Sequence, residues 1–172
     1  MISKNTVILW ASILVHGGLA HADEPSLCTP AERAYFNGPF VSSSKKGNSP
    51  TKLLSLCADS TQPPGSLTYR FGQPGKTELE FSAPRDGTFF STGQTLSPRA
   101  NLDVLYFSRG AFTYALTACV GGECPADFQL LVFRGGKTMA RFHSIIGETG
   151  WGGFEITSDS LIRPQDSALD FE

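Results

Sequence analysis

Between residues 102 and 143 the chain alternates apolar and polar residues with a period of two, and short turn-forming stretches interrupt it. LDVLYF runs into Ser108-Arg109-Gly110, and AFTYALTAC follows. After Val120-Gly121-Gly122-Glu123 come DFQLLVF, Arg134-Gly135-Gly136 and KTMARFH. Strand side chains point alternately to opposite faces, so this period buries one face and wets the other, whereas a helix repeats every 3.6 residues. Strands joined by such short loops form an antiparallel meander.

The same alternation extends upstream. TKLLSLC (51–57) places Leu54 and Leu56 on one face, and Leu67, Tyr69 and Phe71 alternate in SLTYRF. Gly72-Gln73-Pro74-Gly75 turns the chain into KTELEFS, where Lys76, Glu78 and Glu80 oppose Leu79 and Phe81, a hairpin with one wet face. The link from Ala83 to Asn101 carries Pro84, Pro98 and two glycines and reads mainly as exposed loop, with a short strand around Phe89 and Phe90. Ile145-Ile146 and Phe154-Glu155-Ile156 read as short strands around GETGWGG. The expectation is one all-β domain over residues 23–157, an antiparallel sandwich or barrel of about eight short strands, rich in meanders. Residues 158–172 form a polar tail expected to fray.

The N-terminus carries an export pattern. Lys4 precedes the apolar run Thr6–Val15, Gly17-Gly18 breaks it, and Ala20-His21-Ala22 offers the small residues a signal peptidase reads. A signal peptide over residues 1–22, cut after Ala22, follows. The run falls short of the roughly 20 residues a membrane span needs, and Pro25-Ser26-Leu27 before Cys28 is no lipobox, so no membrane anchor is expected. The mature chain holds 13 basic against 16 acidic residues, a formal charge of −3, without a basic stripe; nucleic acid is not an expected partner.

Four cysteines in an exported chain read as two disulfides. Cys119 and Cys124 bracket a Gly-Gly reversal, and Cys28–Cys57 follows by elimination. Oxidation removes the thiolates, and cleavage of the leader would remove His16 and His21, leaving His143 as the only imidazole. No Gly-x-Ser-x-Gly turn accompanies it, although Ser144 adjoins it, so no catalytic residue is assigned. One histidine without paired ligand spacing argues against a metal, and no cofactor motif is present. The carboxylate pairs Glu78/Glu80 and Glu123/Asp127 read as solvated surface rather than as a glycosidase pair.

What remains is recognition through loops rather than enzymatic turnover. Ser108-Arg109-Gly110 presents an arginine at a tight turn, and arginine is enriched at binding hot spots. Trp151 lies among the glycines of GETGWGG, where it is either a contact residue or a lid folded onto the sandwich. The third loop, Thr88 to Arg99, offers Phe89 and Phe90, for which a short core strand is the favoured reading.

The layout resembles small periplasmic inhibitor proteins of Gram-negative bacteria: lysozyme inhibitors, and immunity proteins that block cell-wall-degrading type VI effectors. KLLSLC followed by TYRFGQPGKTELEF (52–81) is also similar to a pattern in exported bacterial proteins. Some lysozyme inhibitors carry a Ser-Gly-x-x-Tyr loop; here Ser108-Arg109-Gly110-Ala111-Phe112-Thr113-Tyr114 departs from that spacing, which favours the broader inhibitor class over direct lysozyme inhibition. The resemblance implies a periplasmic protein whose partner is a peptidoglycan hydrolase or a secreted effector toxin. Two rival classes are a small-molecule or glycan-binding module with a cavity between its sheets, and a carboxylate-dependent cell-wall hydrolase.

Overall fold

A computed structural model describes residues 25–43, 50–124, 126–145 and 161–165. Their strands are β1 (Glu32–Ser42), β2 (Lys52–Asp59), β3 (Leu67–Gln73), β4 (Lys76–Ala83), β5 (Phe89–Ser97), β6 (Ala100–Arg109), β7 (Phe112–Gly121), β8 (Phe128–Arg134), β9 (Lys137–Ser144) and β10 (Ile162–Pro164). They form one sheet in the order β10-β5-β6-β7-β8-β9-β1-β2-β3-β4. Only the β10–β5 pair is parallel. Among the described residues no helix is long and apolar enough to cross a membrane.

The all-β class and both disulfides are as expected, but ten strands replace about eight. β1 was not foreseen because Gly38 and Pro39 interrupt its sequence, and proline cannot donate to a ladder. The Pro39 carbonyl accepts from Ile145 N (3.2 Å), so its missing N–H also points toward β9, where the β1–β9 pairs begin only at Phe40. The position therefore sacrifices little pairing. The link after Ala83 is largely β5, paired along most of its length with β6. The polar tail contains β10: Leu161 and Ile162 are buried, and Phe89 N donates to Leu161 O at 3.0 Å. The domain thus extends past residue 157. Of the two C-terminal strands expected, Ile145 lies in a bend, while Ile146 and 154–156 fall outside the described residues.

The sheet curls until its distant strands touch face to face. Tyr69 of β3 lies 5.0 Å from Phe107 of β6, and Phe81 of β4 stacks on Phe107 at 4.2 Å, although these strands stand far apart in the sheet order. Phe36 of β1 meets Phe128 of β8 at 5.1 Å, and Phe71 of β3 meets Phe142 of β9 at 5.2 Å. Aromatic rings supply large buried area, so these pairs hold the curl where backbone pairing does not close it. The edges remain β4 and β10, which makes the architecture an open barrel or sandwich.

A second buried cluster lies on the outer face of β6–β8, formed by Leu102, Val104, Tyr106, Ala115, Leu131 and Phe133 among others. The opposite outer region, over β1–β3, is covered by the N-terminal segment. Cys28 is bonded to Cys57, Leu27 N donates to Ser55 Oγ (3.0 Å), and Asn37 Nδ2 donates to Pro25 O (2.8 Å). Runs of consecutive buried residues in β2, β7 and β8 follow: both faces of these strands are covered along much of their length.

Candidate functional site

The β6–β7 hairpin carries three of the four contact residues proposed from sequence. Its ladder runs without a break from Ala100↔Gly121 to Arg109↔Phe112, so Gly110-Ala111 alone form the turn. Gly110 has φ +60°, in the left-handed region that glycine enters without penalty, and a Cβ there would meet nothing within 4 Å. At the other end Gly121 is obligatory for a second reason: with φ +131°, its Cβ would fall 1.9 Å from Arg99 O. Ser108 Oγ and Thr113 Oγ1 bond across the hairpin at 3.1 Å. Arg109 is exposed but committed, donating from Nη1 to the Glu80 carbonyl of β4 (3.0 Å). It bridges the curled sheet as well as standing beside the turn. Trp151 lies outside the described residues.

Phe89 and Phe90 take the core role. Phe89 is fully buried against Phe81 and Phe107, at 5.1 and 5.5 Å, while Phe90 stacks on Tyr106 on the other face (5.5 Å).

Beneath the Arg109 anchor runs a chain of alternating charges. Arg70 holds Glu32 with two nitrogens (2.6 and 3.1 Å) and Glu80 with a third (2.9 Å); Arg85 bonds both Glu80 and Asp86 at 3.0 Å. Burial pulls the Glu32 pKa upward, but the Arg70 and Thr29 hydrogen bonds and the Arg70 charge outweigh it and hold it below the ordinary value. The Arg70 and Arg85 hydrogen bonds lower Glu80 likewise. Glu78 instead pairs with Lys52. The two carboxylates thus serve different cations, separated by a register shift at Phe71/Gly72, and do not converge on a cleft. Glu123 accepts from Ser97 Oγ at 2.5 Å.

The arrangement that sequence reasoning missed lies on the outer face of β8, β9 and β1. Strand alternation puts Arg141 and His143 on one face of β9, with Gln129 directly opposite His143 on β8. Ser43, the residue that follows β1, joins them: its backbone N donates to Arg141 O (2.8 Å), and its Oγ lies 3.0 Å from His143 Nδ1. Arg141 Nη1 donates to Gln129 Oε1 at 3.1 Å. With Ala126 from the loop held by Cys119–Cys124, these residues line an open cavity of about 270 Å³. A smaller recess of about 60 Å³ continues past Gln129 and Arg141 toward Leu131, Leu102 and Leu96.

The serine beside His143 is therefore Ser43 rather than its sequence neighbour Ser144. Among the described residues no carboxylate lines the cavity to orient the imidazole, so they supply no third member of a triad. The one signal available in sequence was the spacing of Arg141 and His143 on a common strand face. Ser43, a hundred residues away, carried none. Among the described residues no three His, Cys, Asp or Glu side chains group as metal ligands.

Both disulfides form and no cysteine among the described residues is free, a chemistry that belongs to an oxidising compartment. No protein-family model matches the chain, and neither a curated protein nor a solved structure matches it.

Proposed function

We propose that this is an exported periplasmic binding protein that neutralises a peptidoglycan-degrading enzyme, a cell-wall hydrolase or effector toxin, by inserting the β6–β7 hairpin into its active-site cleft. The observation that carries this reading is the hairpin's order before any partner arrives. Its strands are paired up to the turn, Ser108 and Thr113 join them, and Arg109 ties the tip region to β4. Ordering a loose loop costs about 0.5–1.5 kcal/mol per immobilised long side chain, a cost that a preformed hairpin largely avoids. The class of partner comes from the resemblance to periplasmic inhibitors, and the compartment from the export pattern at residues 1–22 together with the oxidised cysteines.

A module built around a cavity between sheets draws less support, because Tyr69, Phe89 and Phe107 occupy the interior of the curl. A carboxylate-dependent hydrolase draws less still, since Glu78 and Glu80 pair separately.

The test uses the mature protein with both disulfides formed, assayed for suppression of hydrolases acting on purified cell-wall sacculi. Ala111→Glu places charge and bulk at the exposed turn and should abolish suppression without lowering thermal stability. Arg109→Ala should weaken it and also loosen the tip, because the bond to Glu80 is lost. Suppression that survives Ala111→Glu unchanged would remove this hairpin from the mechanism.

A further inference from the structure

The cavity beside His143 is lined by one cation, Arg141, and by the hydrogen-bonding side chains of Ser43, Gln129 and His143. Arg141 is half-buried, and among the described residues no carboxylate lies within ion-pair distance of it. Of its five N–H groups, one is satisfied by Gln129 Oε1. Gln129 is only 8% exposed, and because its oxygen accepts from Arg141, its NH₂ group is the part of the amide left to donate. Ser43 supplies a hydroxyl, 3.0 Å from His143 Nδ1. Among the described residues the lining thus carries positive charge and no negative charge, in a protein whose formal charge is −2.

Size and continuity narrow the ligand further. The cavity's roughly 270 Å³ falls below the range of about 300–1,000 Å³ typical of drug-sized ligands, so a group of few atoms fits it. Guanidinium presents parallel N–H groups that match a carboxylate in bidentate fashion. The recess that shares Gln129 and Arg141 is walled by Leu131, Leu102 and Leu96, with room for a few methyl or methylene groups.

We propose that this face binds a small carboxylate that carries a short aliphatic group beside it, the carboxylate on Arg141 and Gln129 and the alkyl group against Leu131. Two sources share that chemistry: a free branched or short-chain acid, and the C-terminus of a short peptide ending in a small apolar residue. The site is separate from the hairpin turn. Phe112 pairs with Arg134, five residues along β8 from Gln129, or roughly 17 Å at the strand rise. The proposal therefore stands or falls apart from the inhibitor reading.

The experiment is titration of the oxidised mature protein with sodium isovalerate and with alanyl-alanine, followed by backbone amide NMR. Saturable shifts centred on Gln129, Leu131, Arg141 and His143 are expected, with Kd on the order of 1 mM for a ligand so small. Isovaleramide, which has the same shape without the charge, should bind at least about tenfold more weakly, as should isovalerate to Arg141→Gln. Ala126→Trp, which fills the cavity from its loop wall and leaves Arg141 in place, should abolish the shifts. Tighter binding of isovalerate assigns the free acid as the source, and tighter binding of alanyl-alanine assigns a peptide terminus. The proposal is overturned if neither ligand saturates by about 50 mM, if the amide binds as well as the acid, or if Ala126→Trp leaves binding unchanged.

Discussion

Tyr69 should be replaceable by phenylalanine with a gain in stability. Its ring is among the most deeply buried in the protein, 2% exposed, against Phe107 at 5.0 Å, and its hydroxyl has no hydrogen-bond partner. Burial, with a smaller effect of Tyr114, raises its pKa well above the ordinary value, so the group stays neutral. A buried hydroxyl left unpaired costs about 1–3 kcal/mol relative to its hydrated state in the unfolded chain. Tyr69→Phe removes that cost and leaves a void the size of one oxygen, roughly 10 Å³, worth only about 0.2 kcal/mol at the usual cavity penalty. The net expectation is a stabilisation of about 1–2 kcal/mol, or about 2–8 °C in Tm for a domain of this size. Urea unfolding with the disulfides intact gives the quantity directly, provided the m-value is unchanged. A loss of more than about 0.5 kcal/mol would refute the reasoning, because it would mean that the hydroxyl is bonded in the native state.

Three further expectations test other parts of the fold. Arg70→Met strips Glu32 and Glu80 of their shared cation; with side chains at 12% and 16% exposure for Arg70 and Glu32, the cost should be about 2 kcal/mol by chemical denaturation, between surface and fully buried pairs, and Arg70→Lys should recover little because it cannot make the two-nitrogen contact. Asp59, which accepts from the Thr61 hydroxyl and from Thr61 N, Gly65 N and Ser66 Oγ, has its pKa lowered to about 2, the Thr61 hydroxyl contributing most against an opposing effect of burial. A carboxylate with a depressed folded-state pKa adds stability above its unfolded value of about 3.8, and loses it as pH falls toward 2; Asp59→Asn should therefore flatten the plot of urea midpoint against pH across that window, and an unchanged slope would contradict the assignment. Finally, removing Cys28–Cys57 by paired alanine substitution should cost more than removing Cys119–Cys124. Their sequence separations of 29 and 5 give about 3.5 and 2 kcal/mol of unfolded-chain entropy, to be compared by thermal and urea unfolding.

Much of this molecule was legible from local pattern. Period-two alternation with glycine-bearing turns is a property of neighbouring residues, so β2, β3, β4 and the β6–β9 meander were written in the chain itself. The disulfide partners also followed, because cysteine count and the short spacing of Cys119 and Cys124 left one economical pairing. So did the core role of Phe89. β1 and β10 were not legible: Gly38 and Pro39 break the first pattern, and β10 is three residues long, stabilised by docking beside β5 rather than by its own propensity.

What only the tertiary structure decided is which distant residues meet. The curl that sets Phe81 on Phe107 and Arg109 on the Glu80 carbonyl depends on the sum of many packing contacts, and no spacing in the chain encodes it. The same holds for the cavity: Arg141 and His143 share a strand face by arithmetic, but Ser43 and Gln129 reach them through strand order and register. The sequence by itself determined the fold class and the cross-links, because those follow from short-range periodicity and simple counting. The binding face and the anchored hairpin arose from long-range pairing, whose physical selection operates on the whole packed sheet at once.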